Sequence, residues 1–258
     1  MSIGDAPQDT SGKLYLVGLG PGDPCHMTTA AREVLQGCDV AVGYAGYVNQ
    51  ASDLLQGKEV VSMELGQEME RALAAVEMAR SGRRVAVISS GDAGVYGMAG
   101  PLFQVLAAQG WDGKAPAVEV IPGVSAMQAA AAVLGAPLMQ DFCAISLSDL
   151  LTPWEAIRRR LEAAAQGDFV IVLYNPRSGK RTWQLPEARG ILLGHRSGDT
   201  PVGIVHNAYR SGQKMILTDL HNLPQHYQAV DMFTTVVVGN STTYVYNGRM
   251  VTPRGYKK

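Results

Sequence analysis

Two aspartates, each set in a glycine-rich turn, are the side chains of this chain best placed for chemistry. Asp23 closes the turn 18–23 (Gly-Leu-Gly-Pro-Gly-Asp), and Asp92 lies in the turn 89–97; each turn follows an apolar segment. Glycine lets main chain approach a ligand without Cβ clashes. Ligands of open α/β sheets bind beyond the carboxyl ends of the strands. The two turns therefore predict a small-molecule site built largely from main chain.

The elements that position these turns are predicted from apolar runs. The runs predict strands over 14–17, 40–42, 60–61, 85–88, 118–121, 142–147, 169–174, 202–205, 214–218, 234–238 and 244–246. Helical patterns between them are typical of an α/β fold. We expect a mostly parallel N-terminal sheet and a mixed C-terminal sheet, with helices on both faces. The last two strands are predicted to form a hairpin through 239–241.

Local signals refine this outline. Met69, Ala72, Leu73, Val76 and Ala79 predict the inner face of an amphipathic helix, with Arg71 among the charged residues outside it. Two helix starts are also predicted. Thr152 is expected to be the N-cap of a helix with Pro153 at its first position, and Ser125 is expected to begin a second helix.

The domain limits follow from composition. Residues 1–12 predict a disordered polar tail, 13–116 an N-terminal α/β domain and 117–258 a C-terminal α/β domain. The boundary is placed at the turn-rich stretch 109–116, although 118–121 can still belong to the first sheet.

Composition excludes several classes of protein. The chain has 258 residues, 47% hydrophobic and 17% charged, as in ordinary globular proteins. It has no apolar run long enough for a membrane span, and its first residues lack the pattern of a signal peptide. Three cysteines without close pairing argue against a disulfide framework or structural zinc and favour the cytoplasm.

Charge is divided unevenly between the two halves. Residues 1–112 carry a net charge of −6 and residues 113–258 a net charge of +5. The positive charge of the second half is explained either by charged residues scattered over solvated faces or by a site that holds an anionic small molecule. A nucleic-acid partner is disfavoured because no long basic stripe with interleaved aromatic residues occurs.

The first turn argues against a nucleotide cofactor. The dinucleotide fingerprint requires a third glycine where Asp23 stands, and Pro21 removes an N–H from the phosphate cradle. No Gly-Lys-Ser/Thr sequence of a P-loop occurs. S-adenosylmethionine suits these loops better, because it is partly apolar, carries a sulfonium cation and has no phosphate.

Three ordered motifs resemble those of the tetrapyrrole methylase superfamily. They are the turn 18–23 with Met27 and Thr28, the segment 90–92 with Tyr96 and Gly97, and the segment 121–126. The resemblance runs from Lys13 to about Gly255. Within the superfamily, the segments 89–100, 134–142, 146–154, 174–178 and 252–256 are similar to the precorrin-3B/cobalt-factor III 17-methyltransferases of corrin biosynthesis. Where this chain has Asn175 and Ala93, relatives that methylate uroporphyrinogen typically carry methionine and proline, which argues against that activity.

The resemblance implies a two-domain fold with S-adenosylmethionine folded between the domains. The residues that it assigns to the cofactor are Pro21, Ser90, Gly91, Asp92, Val95, Ser125, Ala126, Asn175 and Ala208. The implied substrate is a tetrapyrrole bearing several carboxylates, which arginine binds well. Cationic residues that follow strand ends are the candidates to bind it: Arg177, Lys180, Arg181 and Arg210, with Lys214 nearby. For any single one of them, a solvated loop charge is the alternative.

The implied reaction is methyl transfer from the sulfonium, accompanied by ring contraction. It depends mainly on alignment of donor and acceptor, but the contraction would benefit from a proton donor or acceptor. Asp23, Asp149 and His206 are the candidates. Each has a structural alternative: a helix cap for Asp23, a closed turn for Asp149 and a satisfied core position for His206. No metal site is expected, and any cobalt would belong to the substrate.

The resemblance thus implies a cytoplasmic methyltransferase acting on precorrin-3B, with contraction to precorrin-4, or on its cobalt-containing counterpart. S-adenosylhomocysteine would be the by-product. A homodimer is expected from the resemblance, with no membrane partner. Three alternatives stay open: a corrin-ring methyltransferase acting at another carbon, an RNA- or protein-modifying member of the superfamily, and a non-catalytic binding module.

Overall fold

The computed structural model describes residues 12–256 and divides into two units, Met1–Ser125 and Ala126–Lys258. Of the predicted disordered tail, residues 1–11 lie outside the described residues. Gly12 is buried, and its carbonyl accepts a hydrogen bond from Ala117 N at 3.1 Å, so the tail does not extend to it.

The first unit is a parallel sheet with the strand order β3-β2-β4-β1-β5. Its strands are β1 Lys13–Gly18, β2 Val40–Tyr44, β3 Glu59–Met63, β4 Arg84–Ser89 and β5 Ala117–Ile121. Its helices are α1 Thr29–Gly37, α2 Ala45–Gln50, α3 Glu68–Arg80 and α4 Ala99–Ala108. Helices on both faces explain why the central residues of β2 and β4 are apolar and buried.

The boundary between the units lies later than predicted. Strand β5 pairs with β1 along its whole length and so belongs to the first sheet. The turn-rich stretch before it is the loop between α4 and β5, where the Asp112 carboxylate accepts bonds from Lys114 N at 2.8 Å and Ala115 N at 3.2 Å. Turn-forming residues mark this loop, not the end of a domain.

The connections of β1 and β4 leave the sheet on opposite faces. Helix α1 follows β1 and packs with α2 through Leu35 and Val48 against one face. Helix α4 follows β4 and packs with α3 through Leu102 and Val76 against the other. Adjacent strands whose connections diverge in this way form the topological switch point, where open α/β sheets bind ligands.

The inner face of α3 differs from the prediction. Met69 is 46% exposed and Leu73 is 40% exposed, whereas Arg71 is 3% exposed. Small residues, including Ala75, form the face that packs towards α4. Arg71 is tolerated there because its guanidinium donates to the main-chain carbonyl of Glu64 at 2.8 Å.

The second unit holds a mixed five-stranded sheet with the order β10-β9-β11-β8-β7. Its strands are β6 Gly135–Ala136, β7 Phe142–Ser146, β8 Val170–Tyr174, β9 Pro201–His206, β10 Lys214–Asp219, β11 Thr234–Val238, β12 Tyr244–Tyr246 and β13 Arg249–Val251. Its helices are α5 Ala126–Leu134, α6 Trp154–Gln166 and α7 Gln184–Leu193. Because β11 is antiparallel to both β8 and β9, strands β7, β8 and β9 end at the same edge as β11 begins.

The predicted hairpin of the last strands is wrong. Strand β12 pairs with β13, and β13 pairs with β6, in a separate three-stranded sheet. The turn 239–241 does not return the chain to β11. Instead, Thr243 Oγ1 donates to the Asn240 side-chain oxygen at 3.0 Å and accepts from Asn240 N at 2.9 Å, which closes a local turn.

The two predicted helix starts have different outcomes. Ser125 directly precedes α5, as predicted. Helix α6 begins at Trp154 with Pro153 as its N-cap, because Ala156 N and Ile157 N donate to the Pro153 carbonyl. Thr152 therefore lies outside the helix. No helix within residues 12–256 is long and apolar enough to cross a membrane.

Candidate functional site

The two glycine-rich turns are bonded to each other. Gly20 N donates to the Gly91 carbonyl at 3.0 Å, and Gly91 N donates to the Gly20 carbonyl at 2.8 Å. Both residues have positive φ, +78° and +64°, which favours glycine. The turns lie where β1 and β4 end, at the switch point of the first sheet. Main-chain groups expected to face a ligand are thus partly used to hold the two loops together.

A third glycine, after β5, completes this cluster. A Cβ on Gly123 would lie 2.1 Å from the Gly91 carbonyl oxygen, and a Cβ on Gly18 would lie 2.7 Å from the same atom. These are backbone contacts that a side chain cannot enter without moving a loop. The loops after β1, β4 and β5 therefore form one tightly packed edge, which we call the glycine edge.

Asp92 ties the glycine edge together. Its Oδ2 accepts from Gly123 N at 3.0 Å and its Oδ1 accepts from Gly94 N at 2.8 Å. No lysine or arginine in the described part of the chain forms an ion pair with this half-buried carboxylate. Its negative charge is stabilised by amides and is left available to a cation.

The other cofactor residues predicted in the first unit follow the same strands. Pro21 is buried after β1, while Ser90 and Val95 are half-buried after β4. Ser125 is 2% exposed after β5, and Ala126 opens α5 in the second unit. The structure thus brings together the predicted residues of the first unit that follow β1, β4 and β5.

The Asp23 side chain has a structural role as a cap. Its carboxylate accepts from Cys25 N at 2.8 Å and caps the short 3-10 turn Pro24–His26, whereas Thr28 caps α1 by accepting from Ala31 N. The hydrogen bond from the Cys25 backbone lowers the pKa of Asp23. An exposed carboxylate with a lowered pKa is a poor proton donor near neutral pH.

The second candidate region is the edge of the mixed sheet where β7, β8 and β9 end, which we call the cationic edge. Asn175 follows β8 with φ +47°, and its amide donates to Ser146 Oγ at 3.0 Å. This bond joins the loop after β8 to the end of β7. Ala208, after β9, packs against the core on the α5 face.

Arg181 is held inside the second unit. It is 7% exposed, and its guanidinium donates to the Asn175 carbonyl at 3.0 Å and to Met232 Sδ at 3.1 Å. Burial lowers the pKa of Arg181, and the nearby Asp149 opposes this shift. Its donors are directed at protein acceptors, so its position fits a loop clamp better than the predicted contact with substrate.

The other predicted cations are more accessible. Arg177 is half-buried with two long contacts, 3.5 Å to the Val230 carbonyl and 3.4 Å to Gln228 Oε1. Lys180 is exposed, and Arg210 is half-buried in the loop after β9. The loops after β8 and β9 therefore place three positive charges at the cationic edge.

Asp149 and His206 both have protein partners. Asp149 Oδ1 accepts from Gln184 Nε2 at 3.0 Å, which supports a positioning role in the loop after β7. His206 Nε2 lies 3.2 Å from Asp231 Oδ2, and its Nδ1 is buried without a partner. Because a proton on Nδ1 would be unsatisfied, the proton resides on Nε2 and is donated to Asp231.

Sequence reasoning missed Asp231. The sequence offered one signal for it: Asp231 lies three residues before Thr234, the first residue of a predicted strand, and this spacing is typical of a turn. That signal indicates local structure and does not show that the turn lies beside His206. The pairing became visible only from the register, in which His206 is opposite Thr234.

The second unit also has a cavity away from the cationic edge. A cavity of about 300 Å³ lies at the opposite edge of the mixed sheet, lined by residues including Asp168, Arg196, Asp199 and Ser241. None of the predicted site residues lines it. No group of three or more His, Cys, Asp or Glu residues able to hold a metal occurs in residues 12–256.

Comparisons with known proteins agree on one family. The model of the Tetrapyrrole (Corrin/Porphyrin) Methylases matches residues 13–224. A probable cobalt-factor III C(17)-methyltransferase of Salmonella typhimurium is 47% identical over 94% of this chain and 99% of its own length. A cobalt-factor III methyltransferase of Priestia megaterium is 51% identical over 96% of this chain, which spans 46% of that relative.

A solved structure agrees with this match. The crystal structure of the methyltransferase CobJ has a TM-score of 0.89 and 37% identity, and the match covers 94% of this chain and 100% of that one. The predicted α/β fold is therefore confirmed. The chain belongs to the tetrapyrrole (corrin/porphyrin) methylases.

Proposed function

We propose that this chain is an S-adenosylmethionine-dependent C-methyltransferase of cobalamin biosynthesis. It methylates precorrin-3B, with ring contraction to precorrin-4, or the cobalt-containing equivalent. The observation that carries the proposal is the nearly end-to-end match with the Salmonella relative. The chain spans about half the length of the Priestia relative, so it corresponds to one part of that protein.

The glycine edge fits S-adenosylmethionine on two grounds. Asp92 presents a carboxylate without a cationic partner in the described chain, which suits a ligand that carries a sulfonium and an ammonium group. Pro21 offers no N–H, and Asp23, two residues later, would repel a phosphate. A uroporphyrin-III C-methyltransferase of Thermus thermophilus, which shares this fold, has been solved with S-adenosylhomocysteine.

The residues proposed to hold the cofactor are those predicted from the sequence. In the first unit they are Pro21, Ser90, Gly91, Asp92, Val95 and Ser125; in the second they are Ala126, Asn175 and Ala208. When bound, S-adenosylmethionine supplies an electrophilic methyl group. The protein contributes alignment, and the mutual bonds of Gly20 and Gly91 keep the loops in place before the ligand arrives.

Substrate binding is assigned to the cationic edge. Arg177, Lys180 and Arg210 follow strands that end together, and arginine can hold a carboxylate through two parallel hydrogen bonds. Arg181 supports them indirectly by fixing the loop after β8. A macrocycle with several carboxylates matches this spread of positive charge better than a ligand with a single carboxylate would.

Proton transfer during ring contraction is assigned to the His206–Asp231 pair. Asp23 is bonded to Cys25 N and Asp149 to Gln184, whereas Asp231 is bonded to an imidazole and is half-exposed at the cationic edge. His206 Nε2 donates to this carboxylate and holds its orientation. We also propose that the protein is cytoplasmic and acts as a homodimer.

The proposal is tested by locating the transferred methyl group. The protein is incubated with methyl-labelled S-adenosylmethionine and either precorrin-3B or cobalt-factor III, and the product is analysed by NMR. We expect the label at C17. A label at another carbon would assign the chain to a different corrin methyltransferase, and no transfer to either substrate would refute the proposal.

A pair of variants tests the assignment of substrate-binding residues. Arg177→Gln should raise the KM for the tetrapyrrole about tenfold, since a charge-assisted bond is lost. Its affinity for S-adenosylhomocysteine should stay native. Arg160→Gln is the matched control, because Arg160 is exposed on α6. An equal loss of both affinities in Arg177→Gln would contradict the assignment.

A further inference from the structure

The turn before β11 occupies the middle of the cationic edge. In the sheet order, β11 lies between β9 and β8, so the turn 231–233 is flanked by the loops that carry Arg210 and Arg177. Asn207 N donates to the Phe233 carbonyl at 3.0 Å, which fastens the turn to the loop after β9. Arg181 reaches Met232 Sδ from the other side. The turn is therefore held from both flanks.

Asp231 is the charged group of this turn. Its Oδ1 accepts from Phe233 N at 2.8 Å and from Thr234 Oγ1 at 2.9 Å, and its Oδ2 accepts from His206. Its side chain is nevertheless 50% exposed. No lysine or arginine is ion-paired with it among the residues that the structure describes. The carboxylate is thus fixed in place, negatively charged and open to a ligand.

Two exposed apolar side chains lie beside this carboxylate. Met232 is 47% exposed and Phe233 is 61% exposed, although both belong to a turn anchored on each side. Adjacent large apolar groups that remain in solvent at a built polar site are typical of a surface that a ligand covers. Outside them lie the flanking loops with Arg177 and Arg210. From the centre outward, the edge presents a negative group, apolar groups and positive groups.

A tetrapyrrole has the complementary arrangement. Its centre is electropositive, through pyrrole N–H hydrogens or a cobalt ion, its ring is apolar, and its rim carries carboxylates. We propose that Asp231 faces the centre of the macrocycle, with Met232 and Phe233 against the ring. This inference rests on the proposed function and extends it, since it identifies the residue that recognises the centre of the substrate.

The experiment uses two classes of ligand that share a carboxylated rim. Uroporphyrinogen III, handled without oxygen, carries central N–H groups, and cobalt(III) uroporphyrin III carries a central cation. Benzenehexacarboxylate has carboxylates around a ring but no electropositive centre. Dissociation constants are measured by calorimetry for the wild type and Asp231→Asn, with the matched control Asp199→Asn at the opposite edge of the sheet.

We expect the two classes of ligand to respond differently to the substitution. Asp231→Asn should weaken binding of the macrocycles about tenfold, through loss of a charge-assisted contact. Binding of benzenehexacarboxylate should stay unchanged or become tighter, because a repulsive charge is removed. Asp199→Asn should change neither. The two macrocycles separate recognition of N–H groups from recognition of cobalt. A loss for both classes, or macrocycle affinity within about twofold of the wild type, would overturn the inference.

Folding of the variant is checked by its affinity for S-adenosylhomocysteine. If Asp231→Asn does not fold, Asp231→Glu keeps the charge but displaces the carboxylate, and should weaken macrocycle binding alone. Unchanged macrocycle binding by a folded Asp231→Glu would then count against the inference. Failure of the proposed function is distinguishable, since it appears as absence of methyl transfer by the wild type.

Discussion

Gly123→Ala is the sharpest test of the glycine edge. The new methyl group would lie 2.1 Å from the Gly91 carbonyl oxygen, 2.7 Å from the Gly18 carbonyl oxygen and 2.8 Å from the Gly18 carbonyl carbon. All three atoms are backbone, so no side-chain rotation relieves the overlap. Overpacking of this kind costs about 1–3 kcal/mol. Moving Gly91 also disturbs its bond from Gly20 N, worth about 1 kcal/mol.

We therefore expect Gly123→Ala to lose about 3 kcal/mol of unfolding free energy in urea and to bind S-adenosylhomocysteine more weakly. Gly100→Ala is the control, because Gly100 lies in α4 with no atom within 4 Å of its added Cβ. It should be neutral or stabilising by up to about 1 kcal/mol. A Gly123→Ala protein with native stability and native affinity would refute the packing described here.

Three further variants probe single contacts. Asp92→Asn should weaken S-adenosylhomocysteine binding in calorimetry and lower the unfolding free energy by about 1–3 kcal/mol, since one oxygen acceptor is lost. Native values for both quantities would contradict the role of Asp92 in joining the loops after β4 and β5. Arg181→Met should cost about 2–3 kcal/mol in urea unfolding, whereas Lys180→Met, at an exposed site, should stay within about 0.5 kcal/mol; equal effects would argue against the clamp. The pKa of Asp39 is lowered mainly by its hydrogen bond with the Arg84 side chain, so Asp39→Asn should be less stable at neutral pH by under about 1 kcal/mol. The difference should vanish in acid melts as pH falls through the folded pKa of Asp39, and a pH-independent difference would exclude this origin.

The sequence allowed the strands and the glycine turns to be predicted because both are local signals. Buried parallel strands are continuous apolar runs, so β1, β2 and β4 were recognisable without knowing their neighbours. The buried face of α3 could not be predicted in this way, because Met69 and Leu73 indicate one face and a stripe of alanines indicates another. Only the packing against α4 selects the alanine face.

The residue types proposed for the site can be predicted from the sequence, but the contacts between them cannot. Arg181 and Arg177 look alike in the sequence, and only the course of the loop after β8 buries one of them. Asp231 lies 25 positions from His206 along the chain, so their contact follows from strand register. The predicted hairpin between β11 and β12 was wrong for the same reason, because β12 pairs with β13 in the three-stranded sheet.

The pairing of β13 with β6 bears on how the chain is made. The last strand of the first unit ends at Ile121, so its sheet can close while translation continues. In the second unit, Gly135 pairs with Met250, a fully buried residue of the core on the α5 face. A nascent chain therefore carries its second unit incomplete until residue 250 has been synthesised and has left the ribosome, and chaperones would find most exposed core to bind in that interval.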